Sequence, residues 1–246
     1  MTSSRPKRPT RKKTYSSRRV RCIVTGFDAF GEDKENPTQL LAEGFPDSLS
    51  LGKHGQVQVE RAVFETCCLR SAAGLDDIVA RGRGERLALL MTGLATARTK
   101  ISLEFVALNL RDYRIKDNAG HRHGRELLFE GEPNALFNDL PLESLQKDLT
   151  RRGYPCEVSY HAGTFVCNEI YYHALRLAGG DSSLKAVLFV HLPLPEKLAE
   201  SINSKDNPNR HKILARHNLR SKKSRLACMS EAMAVIARFL AMEAGK

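Results

Sequence analysis

The amino-acid sequence predicts an α/β protein, a three-layer αβα sandwich whose largely parallel, twisted central sheet carries helices on both faces. Three observations lead to it. Strand-like runs alternate with helical-period segments along the whole chain, the order that builds a parallel sheet. The runs at 87–91 (LALLM) and 186–191 (AVLFVH) are nearly all apolar rather than alternating, as expected of strands buried on both faces. With 246 residues, 41% hydrophobic and 27% charged, the chain is long enough to bury a core and ordinary in composition for a globular protein.

The elements follow in order. Residues 1–20 hold Ser, Thr, Arg, Lys and Pro with little that is apolar, which predicts a disordered basic tail. Order is expected from Arg21, and residues 21–246 read as a single α/β domain with no repeat and no internal linker. Residues 22–25 form a β-rich run stopped by Gly26. Residues 26–31 (GFDAFG) are a glycine-bounded loop carrying Phe27 and Phe30. Asn36-Pro37-Thr38 opens a helix, with Pro37 suited to the first turn. Residues 57–64 alternate as a strand and 68–80 have helical periodicity. The strand at 87–91 ends before Gly93, and 105–110 is a further candidate strand. Residues 117–140 are polar and broken by Gly and Pro, hence mostly loop. A helix is expected over 141–152, closed by Gly153, then a short strand at 157–160. Another helix spans 168–177 before Gly179-Gly180, and the strand at 186–191 is stopped by Pro193. Residues 205–220 read as loop, and 224–244 as a final amphipathic helix.

Charge is unevenly distributed. The net charge is +11, but residues 1–21 carry +9 and residues 205–225 carry +7, which leaves the rest of the chain at −5. A uniformly basic nucleic-acid-binding surface is therefore not expected, and the basic runs lack interleaved aromatics. The tail is compatible with a solvated extension, a transit-like segment or a polyanion-binding arm. The 205–225 segment is compatible with a solvated loop or a partner surface. No apolar run is long enough to span a bilayer and no secretory signal is visible, so no membrane partner is expected. The six cysteines have no C-x-x-C spacing, and adjacent Cys67 and Cys68 do not fit a repeating zinc pattern. They read as reduced thiols, and with the missing signal they predict a cytoplasmic location.

In open α/β sheets active sites gather at the carboxyl ends of the strands. Three segments bring reactive residues to such places: 101–104, 161–168 and 190–193. Cys167 falls where a glycine-containing loop turns into a helix, and a helix N-terminus stabilises a thiolate. A buried structural cysteine is the alternative. His191 lies at a strand end, and Glu104 is a carboxylate in an apolar run that needs a partner. Each alone is compatible with a packed histidine or a salt bridge. Together a Cys, a His and a carboxylate suggest a nucleophile, its base and an orienting group.

Several motifs resemble those of pyroglutamyl-peptidase I, also called pyrrolidone-carboxylate peptidase. Residues 25–31 (TGFDAFG) with Asn36-Pro37 are similar to its N-terminal signature, and 93–109 (GLATARTKISLEFVALN) to its glutamate signature. Residues 114–118 (RIKDN) resemble its R-I-P-D-N, 159–168 (SYHAGTFVCN) its cysteine signature, and His191-Leu192-Pro193 its H-x-P segment. The resemblance implies a cysteine peptidase that removes N-terminal pyroglutamate from peptides through a Glu–Cys–His triad and a thioester. It implies Cys167 as nucleophile, His191 as base and Glu104 as the orienting carboxylate. It also implies Arg114 near the oxyanion and Phe27 and Phe30 lining the pyroglutamyl pocket. No metal or organic cofactor is expected, and a homo-oligomer is implied. Thr96, Phe105 and Lys116 depart from the family pattern, where a small residue, a basic residue and a proline are usual. Those departures motivate the alternative of a diverged or inactive homologue on the same fold, acting as a binding protein through its basic segments.

Overall fold

The computed structural model describes residues 19–180 and 183–246. The expected tail lies outside the described residues up to position 18. Strand β1 (Val20–Phe27) begins before the predicted Arg21, because Val20 is buried and Arg19 O accepts a hydrogen bond from Arg86 N. Its last turn feeds a loop whose far end is helix α1 (Pro37–Glu43), capped by Asn36, whose side chain accepts from Thr38 N–H. Strands β2 (Ser48–Ser50) and β3 (Gln56–Phe64) follow, then α2 (Cys68–Arg81) and β4 (Arg86–Leu94). The apolar run after residue 100 divides in two. β5 (Ile101–Glu104) joins the main sheet, while β6 (Val106–Leu108) leaves it to pair with β7 (Ala135–Phe137), which lies inside the stretch expected to be loop. The remaining elements are α3 (Leu142–Arg152), β8 (Cys156–Ser159), α4 (Val166–Gly179), β9 (Leu184–Leu192), α5 (Pro195–Asn203), α6 (Arg210–Leu214) and α7 (Lys222–Ala244). Gly153 closes α3 at φ +100, the left-handed region that glycine enters freely.

The seven-stranded sheet has the order β2-β3-β1-β4-β9-β5-β8. β3, β1, β4 and β9 run parallel, β5 is antiparallel to β9 and parallel to β8, and the short edge strand β2 is antiparallel to β3. The predicted class therefore holds, with a mixed sheet of mostly parallel strands. β4 and β9 are buried on both faces, as their apolar runs require. The two faces are covered by different helices. Val24, Ala88, Leu90, Leu188 and Val190 pack with α1, α3, α5 and α7, while Ile23, Leu87, Leu89, Met91, Val187 and Phe189 pack with α2 and α4. Among the described residues no helix is long and apolar enough to cross a membrane.

Two expectations about the C-terminal part change. The segment read as loop contains α6, because Ile213 is fully buried against the core and anchors a single helical turn and a half. The final helix is not a simple amphipathic one. From Cys228 onward it is buried on most of its circumference, since it crosses the sheet and is itself covered by α1, α3 and α5. Residues 195–203, not assigned to an element from the sequence, form α5 because Pro195 sets its first turn and Leu198, Ala199 and Ile202 reach the core.

Candidate active site

Side-chain alternation along the strands decides which residues meet. On the face covered by α4, β1 presents Ile23 and ends in Phe27, β4 presents Met91 and then Gly93, and β9 presents Phe189 and then His191. Gly93 and His191 are direct register partners across β4 and β9. On β5 the residues facing the opposite core are Ile101 and Leu103, so Ser102 and Glu104 point to the α4 side. Ser102 pairs with His191, and Glu104 lies one diagonal step away on the same face.

The result is a buried hydrogen bond. His191 Nδ1–H donates to Glu104 Oε1 at 2.7 Å, with Glu104 fully buried and His191 nearly so. Against an ionised carboxylate, which only accepts, Nδ1 is the donor, and a ring carrying one proton then keeps Nε2 as an acceptor. Two further groups hold Glu104, one at its carboxylate and one at its backbone carbonyl. Arg98 Nη1 donates to the same Oε1 at 2.7 Å, and its Nη2 donates to His161 O at 2.9 Å. Tyr171 Oη donates to Glu104 O at 2.7 Å and itself accepts from Asn138 Nδ2 at 2.9 Å. Glu104 Oε2 is buried and makes no hydrogen bond. Phe189 stacks at an angle on the His191 ring, with centroids 4.9 Å apart.

Cys167 is the second residue of α4, in the first turn, where backbone N–H groups have no helical acceptor. The helix start is fixed by Asn168, whose side chain accepts from Leu108 N–H and donates to Leu108 O and Leu110 O. A Cβ on Gly93 would lie 2.9 Å from Cys167 Sγ, so the thiol rests directly on the strand beside His191. Burial pushes this thiol up to about 12, and the Glu104 carboxylate adds to the rise. Its own backbone N–H and the Arg98 guanidinium work in the opposite direction. The thiol makes no hydrogen bond to the His191 ring.

Cys167 opens onto a cavity of about 490 Å³. Phe27, Phe30, Thr66, residues 94–98, Arg114 and Phe165 line it. Phe27 is the buried end of β1, packed on Phe64 and Phe189, whereas Phe30 stands on the loop and packs on Phe165 at 5.2 Å. Arg114 is exposed at the rim, and together with Phe165 it also lines a neighbouring cavity bounded by Ile115, His161 and Thr164. Phe27, Phe30, Arg114 and Cys167 thus share this cavity, while Glu104 and His191 are bonded to each other in the adjoining sheet. Arg98, Gly93, Tyr171 and Phe165 were not singled out. Only Gly93 had a visible signal, as a glycine directly after a buried strand.

Comparisons with known proteins give the family. The pyroglutamyl peptidase family profile matches residues 20–214. The chain belongs to the pyroglutamyl peptidase family. It is a peptidase and therefore a hydrolase. Among curated relatives of this family, the pyrrolidone-carboxylate peptidase of Fusobacterium nucleatum is 33% identical over 188 residues, covering 76% of this chain and 83% of the relative. That of Vibrio vulnificus is 35% identical over 188 residues, covering 73% and 81%. Pyroglutamyl peptidase I of Bacillus amyloliquefaciens superposes with a TM-score of 0.69 at 25% identity, covering 94% of this chain and 98% of that one. A mutant pyrrolidone carboxyl peptidase of Pyrococcus furiosus gives 0.69 at 27% identity, covering 89% and 95%. The three positions that depart from the family pattern have different surroundings. Phe105 turns its ring onto Phe137 and Tyr160, Lys116 is exposed, and Thr96 lines the cavity while its carbonyl accepts from Lys197 Nζ.

Proposed function

We propose that this chain cleaves pyroglutamate from the N-terminus of peptides with Cys167 as nucleophile, His191 as acid–base and Glu104 as the group that orients the imidazole. The observation that carries the reading is the buried Nδ1–H···Oε1 bond, which leaves Nε2 as the proton acceptor on the face where Cys167 sits.

Each step uses a named group. Burial raises the Cys167 thiol, which favours the neutral form at rest. Attack therefore proceeds by general base catalysis: His191 Nε2 takes the Sγ proton as sulfur bonds to the pyroglutamyl carbonyl carbon. The imidazolium that forms is stabilised by the Glu104 charge. Negative charge on the carbonyl oxygen meets the Cys167 backbone N–H at the α4 N-terminus, with the Arg114 guanidinium adding to it from the rim. His191 then gives its proton to the leaving amine, whose C–N bond breaks, and a pyroglutamyl thioester remains on Cys167. Water deprotonated by the same histidine hydrolyses it.

Recognition follows from shape. A pyroglutamyl ring is small, flat and uncharged, and it lacks the α-amine that charged subsites hold. Phe27, Phe30 and Phe165 offer apolar walls of the right kind, and the neighbouring cavity beyond Arg114 and Phe165 gives the rest of the peptide a path. The test is hydrolysis of pyroglutamyl-aminomethylcoumarin under reducing conditions by the full chain and by Cys167→Ala. Turnover by the full chain and its loss in the folded variant are expected. Equal turnover by both would overturn the assignment of Cys167, and none by the folded full chain would overturn the activity.

A further inference from the structure

Outside the Cys167 centre, four metal-binding side chains converge at the start of α2. Cys67 occupies the N-cap position and Cys68 opens the helix, and both are buried. Asp117 and His121 come from the loop that packs against them. One ligand atom of each, the two Sγ atoms, a carboxylate oxygen and a ring nitrogen, lie within 4.8 Å of one another. A tetrahedral zinc ion with bonds of about 2.0–2.3 Å places its ligands roughly 3.3–3.8 Å apart. The widest pair in the cluster thus needs to close by at most about 1–1.5 Å.

The carboxylate is held in place by the backbone. Asp117 Oδ1 accepts from Ala119 N–H at 3.0 Å and from His121 N–H at 2.8 Å. Its Oδ2 accepts from Cys68 N–H at 3.2 Å and lies 3.3 Å from His121 Nδ1. A second imidazole stands close by, with His123 Nε2 3.7 Å from Cys68 Sγ. Such outer bonds orient ligands before an ion arrives. The set also discriminates by chemistry. Two sulfur donors disfavour magnesium and calcium, which take oxygen, and favour a borderline-soft ion that accepts sulfur, nitrogen and oxygen together.

We propose that Cys67, Cys68, Asp117 and His121 bind a single thiophilic divalent ion of the zinc class. Binding breaks two S–H bonds and forms two metal–sulfur bonds, with both protons released to solvent. Two thiolates, one carboxylate and a neutral imidazole leave the loaded site at a net charge of about −1. The spacing rules that find zinc motifs along a chain do not reach this site, because its halves are fifty residues apart. The ion would tie together two segments that shape the cavity. Thr66, directly before Cys67, lines it, and Asn118, directly after Asp117, donates to Ala29 O and Asp28 Oδ1 in the loop that carries Phe30.

The experiment is a titration of the reduced full chain carrying Cys167→Ser with Co²⁺, read by absorption, followed by displacement with Zn²⁺. The expected result is intense visible bands of tetrahedral cobalt with thiolate charge-transfer absorption in the near ultraviolet. They should saturate at one ion per chain and vanish on zinc addition. Cys67→Ser should remove about half of the charge-transfer intensity, that of one of the two thiolates, and His121→Ala should weaken binding at least tenfold. Zinc should also raise the melting temperature of the parent chain and not that of Cys67→Ser. No bands in excess cobalt would overturn the proposal, as would bands unchanged in both Cys67→Ser and His121→Ala. His121 is only part-buried on its loop, so its variant decides the matter even if a cysteine variant fails to fold.

Discussion

A Cβ on Gly93 would stand 2.9 Å from Cys167 Sγ and 2.9 Å from Phe189 Cζ. Position 93 is therefore where strand β4, the first turn of α4 and the His191 strand come into contact, and its lack of a side chain is what lets the thiol lie there. Gly93→Ala should fold but with strain. We expect a loss of about 1–3 kcal/mol in stability, read by denaturant titration. Displacement of the thiol by about 1 Å should lower kcat/KM for a pyroglutamyl substrate by roughly 10²-fold. Wild-type kinetics in Gly93→Ala would show that the close approach is not needed for catalysis.

Glu104→Gln keeps the size of the side chain and removes its charge. The amide can still meet His191 and Arg98, but it no longer stabilises an imidazolium and no longer dictates that the proton sits on Nδ1. A fall of about 10³–10⁴-fold in kcat is expected, with KM changed little. Circular dichroism should match the parent, because the surrounding packing is untouched.

Arg98 is a positioning residue, joining the carboxylate to the loop carbonyl of His161 that precedes Cys167. Removing it leaves Glu104 with one fewer donor in a buried place. Arg98→Ala should lower kcat about tenfold, equivalent to ~1.4 kcal/mol of barrier. Arg98→Lys should recover part of the loss, since an ammonium can satisfy the carboxylate but not bridge both acceptors with a planar fork. Equal kcat in all three proteins would limit Arg98 to a structural role.

The buried thiol predicts a pH signature. Only the thiolate is alkylated, and burial raises the Cys167 thiol to about 12. Below that value the thiolate fraction grows with pH, so the rate of iodoacetamide labelling in the free enzyme should climb about tenfold per pH unit from neutral to mildly alkaline solution. Mass spectrometry of the Cys167 peptide gives the rate. A plateau already reached below neutral pH would reveal a preformed thiolate–imidazolium pair instead of general base attack.

How far the sequence reached depended on the kind of signal. The continuous apolar runs of β4 and β9 and the caps at Asn36 and Gly153 are local, and they placed those elements well. The split after Glu104 was not legible. Residues 101–108 are apolar on both sides of it, and only the pairing of β5 with β9 and of β6 with β7 divides them. The helix α6 depends on the burial of Ile213, a contact that nothing near it in the chain announces. The site residues Cys167, His191 and Glu104 stood out by chemical type and by family motif, whereas Arg98 looked like any basic residue in a loop.

By itself the sequence determined the α/β class, the family and the residue types available for nucleophilic chemistry. Those are written in local periodicity, in glycine and proline positions and in ordered motifs. The tertiary structure decided which side chains share a face and at what distance. The antiparallel register of β5 against β9 brought Glu104 to His191, and the glycine at 93 let the Cys167 thiol lie against the strand position paired with His191. In the same way only folding brought Asp117 and His121 to Cys67 and Cys68. The reason is common to both: side-chain chemistry is fixed residue by residue, but hydrogen bonds and coordination act over about 2–3 Å, and such distances between remote segments exist only once the sheet and its helices have packed.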